Sequence, residues 1–171
     1  GVDYIRSAAP QVGATITPYH LQLNRTDWLG WGNRPYMYCM PVIKTEQDRL
    51  ALRDAATSGD ACFFLGTDSA PHSVAKKLAM VGAAGLFNAP VAIETYAQVF
   101  EEDGKLHNLE AFASLNGPRH YGLEPNKETI TLEKADWTAP EAVLVDGPEE
   151  KALVYRGGET IPWRVVHAKG E

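Results

Sequence analysis

The sequence predicts an α/β fold built on a parallel sheet. The apolar run from Cys62 through Phe63 and Phe64 to Leu65 lacks the alternation of a half-exposed strand and sits between turn formers, the pattern of a strand buried on both faces. A strand-like stretch, a long connection and an alanine-rich helical stretch precede it in that order, and such alternation marks a parallel sheet with covering helices. From Thr129 the texture changes to short β-rich stretches divided by Pro, Gly and acids, which predicts a small strand-rich terminal piece.

Taken in order, Val2, Tyr4 and Ile5 read as the tail of a helix already under way, and Val12–Pro18 as a short strand closed by its proline. His20–Pro41 mixes Gly, Pro, Asn and aromatics without a period of 2 or 3.6, so it reads as a long loop, and long loops in compact domains are usually functional. Thr45 with Asp48 three residues on forms a capping arrangement, and Leu50, Leu52, Ala55 and Ala56 carry a helix that Gly59 ends. Ser73–Gly85, with the basic pair Lys76 and Lys77, reads as loop with one short helix. Asn88 is placed to cap the next helix, Pro90 falls in its first turn, and Val91, Thr95, Tyr96, Val99 and Phe100 share one side before Gly104 closes it. A further helix, Asn108–Leu115, is expected to stop at Asn116-Gly117-Pro118. ITLEK, AVLVDG, ALVYR and IPWRVV are the expected terminal strands.

Composition narrows the function classes. With 171 residues, 44% of them apolar, the chain has enough for a core of one ordinary domain. A net charge of −6 without clustered Lys and Arg argues against nucleic acid as a partner. No apolar run approaches the ~20 residues that span a bilayer, and the opening lacks the basic-then-apolar order of a secretory leader, so neither membrane nor export is expected. Cys39 and Cys62 lie in apolar contexts and in no CxxC pair, which suits reduced thiols in a cytoplasmic protein and gives no structural zinc site. There is no phosphate-binding glycine loop and no nucleophile elbow.

The chemistry-bearing stretch is Cys62–His72, CFFLGTDSAPH, where the apolar run stops and an acid follows. Asp68 would lie just past the carboxyl end of a buried strand, where a loop can aim side chains into an active-site mouth without disturbing the interior. It is therefore a candidate metal ligand or base. Asp before Ser-Ala-Pro is equally good turn and cap chemistry, and spacing alone does not choose between the two. His72, alone after a proline, reads as a loop residue on its own. His20 follows a strand end and is expected to be structural, and His107, His120 and His167 lie in surface-like or terminal contexts.

Several longer motifs then converge. GTDSAPH and FNAP (Phe87 to Pro90), with TPYHLQLNR (Thr17 to Arg25), RPYMYCMPVIK (Arg34 to Lys44), YAQVFEE (Tyr96 to Glu102), SLNGPRHYGL (Ser114 to Leu123) and GGETIPWRV, closely resemble the carboxyl-terminal half of bacterial class II dihydroorotases, of the amidohydrolase superfamily. The resemblance implies the end of a (β/α)8 barrel, strands seven and eight with their helices, over residues 1–128, and a strand-rich extension over 129–171 packing on it. It implies two zinc ions at the barrel mouth, and reversible cyclisation of N-carbamoyl-L-aspartate to L-dihydroorotate in pyrimidine biosynthesis. By the same resemblance, Asp68 is zinc ligand and proton shuttle, His72 contacts the substrate carboxylate, and the backbone at Met40 and Ala84 holds the pyrimidine edge. Met40 stands where Leu is more usual, which backbone contacts tolerate. Arg25, Arg34 and Lys44 read as exposed structural cations and stay outside the site.

The family's HxH pair, its bridging lysine, two further histidine ligands, the substrate-clamping arginine and the mobile loop find no match in this sequence, which holds no HxH at all. Residues 1–171 are therefore expected to work beside an amino-terminal half of the same enzyme and to be inactive alone, the family precedent being a cytoplasmic homodimer. The alternatives are another cyclic amidase of the superfamily, hydantoinase-like, and a non-catalytic barrel-derived module.

Overall fold

The computed structural model describes residues 1–30, 32–145 and 149–166. A first helix, α1 (Val2–Ala8), leads into β1 (Ala14–Ile16), followed by the short helices α2 (Pro18–Gln22) and α3 (Arg25–Leu29) and a single 3-10 turn at Pro35–Met37. Helix α4 (Glu46–Thr57) returns the chain to β2 (Phe63–Leu65), which pairs in parallel with β1, Ala14 opposite Phe63 and Ile16 opposite Leu65. Next come α5 (Val74–Leu78), a 3-10 turn that runs into α6 (Ala92–Glu102), and a π-helical segment (Ala111–Leu115) continuous with α7 (Asn116–Tyr121). The chain ends in short strands β3 (Thr131–Glu133), β4 (Trp137–Thr138), β5 (Ala142–Leu144), β6 (Lys151–Leu153), β7 (Thr160–Ile161) and β8 (Arg164–Val166), paired antiparallel as β3·β8, β4·β7 and β5·β6.

The alternation of side chains along a strand sorts the core. Ile16 and Phe63 face one way, into a cluster with Leu21, Ala55, Ala56, Tyr96, Phe100 and Phe112, so α4 and α6 cover this face. Thr15 and Phe64 face the other way, where Thr15 is exposed and Phe64 packs against His120 and Tyr121 of α7. Tyr96 ties α6 to the sheet by donating to the Ile16 carbonyl across 2.6 Å. Gly66 is required just after β2, because a Cβ there would stand 2.3 Å from Thr15 Cβ. The terminal strands lie over α6. Trp163 joins the main cluster and donates to Glu101 Oε2 at 3.0 Å, while Ala139, Val154 and Ile161 bury Val91.

The Thr45–Asp48 capping box forms as expected, and Gly59 follows α4 at φ +87°. Three expectations are corrected. His20–Pro41 is about half helical rather than one long loop: α2 and α3 have five residues each, too few to display a period, and their signals are the caps at Thr17 and at Asn24 with Asp27. Asn88 caps nothing with its side chain, which instead donates to the carbonyls of Thr67 at 2.8 Å and Leu86 at 3.4 Å. Asn116-Gly117-Pro118 does not end the helix: the backbone stays helical from Ala111 through Tyr121, with Pro118 inside α7. The β4 strand was not expected, and Asp146, Gly147 and His167 lie outside the described residues.

Candidate active site at the carboxyl end of the parallel strands

Beyond β2 the chain passes Gly66 and Thr67 to Asp68, which takes a left-handed conformation, φ +45°, one that aspartate tolerates better than most side chains. Its carboxylate is exposed. Oδ2 accepts a hydrogen bond from the Tyr19 hydroxyl at 3.1 Å, and among the described residues no backbone N–H and no cation engages the group. The capping work falls to the next residue: Ser69 Oγ accepts from the backbone N–H of Asn88 at 3.0 Å and of Ala89 at 2.9 Å. Asp68 is thus free of the local turn.

Tyr19 reaches Asp68 because β1 and β2 are parallel neighbours and α2 begins where β1 ends. Thr17 caps α2 with a bond from His20 N–H, Pro18 supplies the fixed first turn, and the Tyr19 ring is wholly buried between His20 and Tyr155. Burial and the neighbouring Asp68 charge both push the Tyr19 phenol well above its usual range, so it stays a donor. His20 is structural. Its Nε2 lies 2.8 Å from the Pro41 carbonyl, which can only accept, so Nε2 carries the hydrogen and Nδ1 accepts from Thr17 Oγ1 at 2.7 Å. Burial lowers its pKa from the ordinary value.

The other sequence-predicted residues gather beside this point. The half-buried His72 bonds the Ala84 carbonyl through Nε2 at 2.9 Å. Met40 is exposed, in a loop fastened to the Ala84 segment by the bond from Gly85 N–H to the Tyr38 carbonyl at 2.9 Å. The Ala84 segment is in turn joined to the Asp68 loop by the bond from Ala70 N–H to the Leu86 carbonyl at 2.9 Å. His72, Ala84 and the Met40 loop therefore form one connected group, and Asp68 joins it through backbone rather than through a direct side-chain bond. Arg25 is exposed, and Lys44 donates to its own neighbour Val42 at 2.9 Å.

Two residues here escaped the sequence reading. Tyr19 had its signal in the Thr17-Pro18 helix start. Lys77 belongs to the basic pair of a stretch that reads as loop with one short helix, yet its ammonium is buried. Cys39, a buried free thiol, is pushed up to about 11 by burial and is no nucleophile at neutral pH.

A cavity of about 210 Å³ lies alongside, lined by Met37, His72, Lys77, Gly85, Tyr155 and Arg156. A larger hollow of about 570 Å³ opens at the opposite, amino end of the strands, between Arg6, Pro10, Asp60, Cys62, Arg119 and His120, away from Asp68. Among the described residues no group of three or more His, Cys, Asp or Glu side chains is placed to hold a metal ion. As a hard oxygen donor without a cationic partner, Asp68 fits one ligand position. Further ligands would have to come from outside these residues. Among the described residues no helix is long and apolar enough to cross a membrane.

The model of the Amidohydrolase family matches residues 7–140. The chain is 54% identical over 164 residues to a dihydroorotase of Parasynechococcus marenigrum and 52% identical over 164 residues to one of Sphingopyxis alaskensis, in each case over 96% of this chain and 46% of the relative. The crystal structure of dihydroorotase in complex with 5-fluoroorotic acid from Saccharomyces cerevisiae superposes with a TM-score of 0.84 at 34% identity, covering 96% of this chain and 46% of that one. The dihydroorotase from Campylobacter jejuni gives a TM-score of 0.84 at 29% identity. The chain spans about half the length of the curated relatives it matches. On the family match across most of its residues, the chain belongs to the amidohydrolase family.

Proposed function

We propose that this chain is the carboxyl-terminal part of a dihydroorotase, residues 1–128 supplying strands seven and eight of a (β/α)8 barrel and 129–171 covering it. In this reading an amino-terminal half of the enzyme supplies the other metal ligands, and the complete protein is a cytoplasmic homodimer. The observation that carries the reading is the 54% identity across 96% of the chain to a curated dihydroorotase. The exposed, cation-free carboxylate of Asp68 at the end of a parallel strand supports it.

Zinc, when bound, supplies Lewis acidity and hydroxide near neutral pH. Asp68 would be one of its ligands. Toward hydrolysis, the carboxylate of Asp68 takes the proton of the attacking water as the new C–O bond forms at the ring carbonyl. It returns that proton to the ring nitrogen as the C–N bond breaks, giving N-carbamoyl-L-aspartate, and cyclisation is the reverse. Tyr19, holding Oδ2, leaves Oδ1 for this exchange. His72 donates through Nε2 to the Ala84 carbonyl, so Nδ1 can donate to the substrate carboxylate only when the ring carries both protons, with the Met40 and Ala84 backbone along the ring edge.

Turnover of L-dihydroorotate and of hydantoin by the complete, zinc-loaded enzyme tests this. Dihydroorotate hydrolysis with two zincs per active site is expected. Hydrolysis of hydantoin alone would make the enzyme a different cyclic amidase, and turnover of neither would leave a non-catalytic module.

A further inference from the structure

Lys77 is 6% exposed and meets no carboxylate among the described residues, yet its donors are all taken. Its Nζ donates to the carbonyls of Tyr38 at 2.8 Å, Ala83 at 3.0 Å and Gly85 at 2.7 Å, and an ammonium has three donors to give. Burial lowers its pKa, and with every donor committed it is neither a nucleophile nor an anion partner. What matters is which carbonyls it holds. Ala83 and Gly85 flank Ala84 on either side, and Tyr38 lies two residues before Met40.

We infer that Lys77 is the positioning residue of the substrate pocket: its ammonium locks the Met40 loop to the Ala84 segment in one geometry, so that both backbones face the same ligand. The inference rests on the dihydroorotase reading and deepens it, since that reading assigns the ring edge to these two backbones. Other contacts agree with a latch. Gly85 N–H shares the Tyr38 carbonyl with Lys77, and the ammonium lies 6.0 Å from the Tyr38 ring centroid, within cation–π reach. Gly85 itself, at φ +133°, admits no side chain, because a Cβ would stand 2.4 Å from that of Ala70. The Gly85 N–H bond makes one link between the Met40 loop and the Ala84 segment, and Lys77 adds three more donors at the same junction.

The test uses Lys77→Met and Lys77→Arg in the complete enzyme, with kcat and KM for L-dihydroorotate read beside the melting temperature. Lys77→Met keeps the stem and removes all donors. A rise in KM of about tenfold, with kcat within about threefold, is the expected result, and Lys77→Arg should recover part of it. A folded Lys77→Met enzyme with unchanged KM, or a loss confined to kcat or to melting temperature, would overturn the inference. If Lys77→Met does not fold, Lys77→Arg decides by the same KM criterion, and failure of both to fold would make Lys77 a purely structural group. A wild-type enzyme that does not turn over dihydroorotate would instead remove the reading on which the inference stands.

Discussion

The phenol of Tyr19 donates to Oδ2 of Asp68 across 3.1 Å, joining the ends of two parallel neighbouring strands through side chains 49 residues apart. Tyr19 is buried and Asp68 exposed, so the packed phenol orients the carboxylate, holding Oδ2 while Oδ1 has no hydrogen bond among the described residues.

Tyr19→Phe removes only that donor. The expected outcome is a folded enzyme that loses about 1 kcal/mol of stability, discounted for the exposure of the acceptor, by urea titration. Its kcat should fall about tenfold, since Asp68 then samples unproductive rotamers. Wild-type kcat in a folded Tyr19→Phe enzyme would show that Asp68 is oriented by other groups.

His20 gives a pH dependence with a definite sign. In the fold it is neutral, with its pKa lowered from 6.5 by burial. The unfolded chain takes up a proton near 6.5 and the native chain does so only at lower pH. Stability is therefore full above about 6.5 and falls with pH down to the depressed native value. Melting temperatures between pH 7.5 and 5 should decline more steeply for the wild type than for His20→Gln. Parallel profiles would contradict the buried neutral imidazole.

Gly85→Ala places a Cβ 2.4 Å from Ala70 Cβ in a conformation that L side chains avoid. A loss of about 2 kcal/mol or more is expected in urea unfolding, well above a typical surface substitution.

The parallel pair, the capping box at Thr45 and the apolar stripe of α6 were legible because each rests on local pattern: an unbroken apolar run, a cap spacing, a helical repeat. Asp68 and His72 were legible as residue types after a strand, but their roles came from the longer motifs. Tyr19 and Lys77 were not legible as site residues. Their partners lie 49 and up to 39 residues away, and a buried lysine on backbone carbonyls has no sequence signature that separates it from a surface one. Asn88 was misread for the same reason, its nonlocal bond to Thr67 having won over the local cap.

The measurement closest to the centre of the account is the rate of L-dihydroorotate hydrolysis by the complete enzyme carrying Asp68→Asn, which keeps the shape and the acceptor for Tyr19 but removes the charge. A fall of about a thousandfold at unchanged melting temperature is expected. Activity within tenfold of wild type would contradict the assignment of Asp68 as the carboxylate that carries the proton.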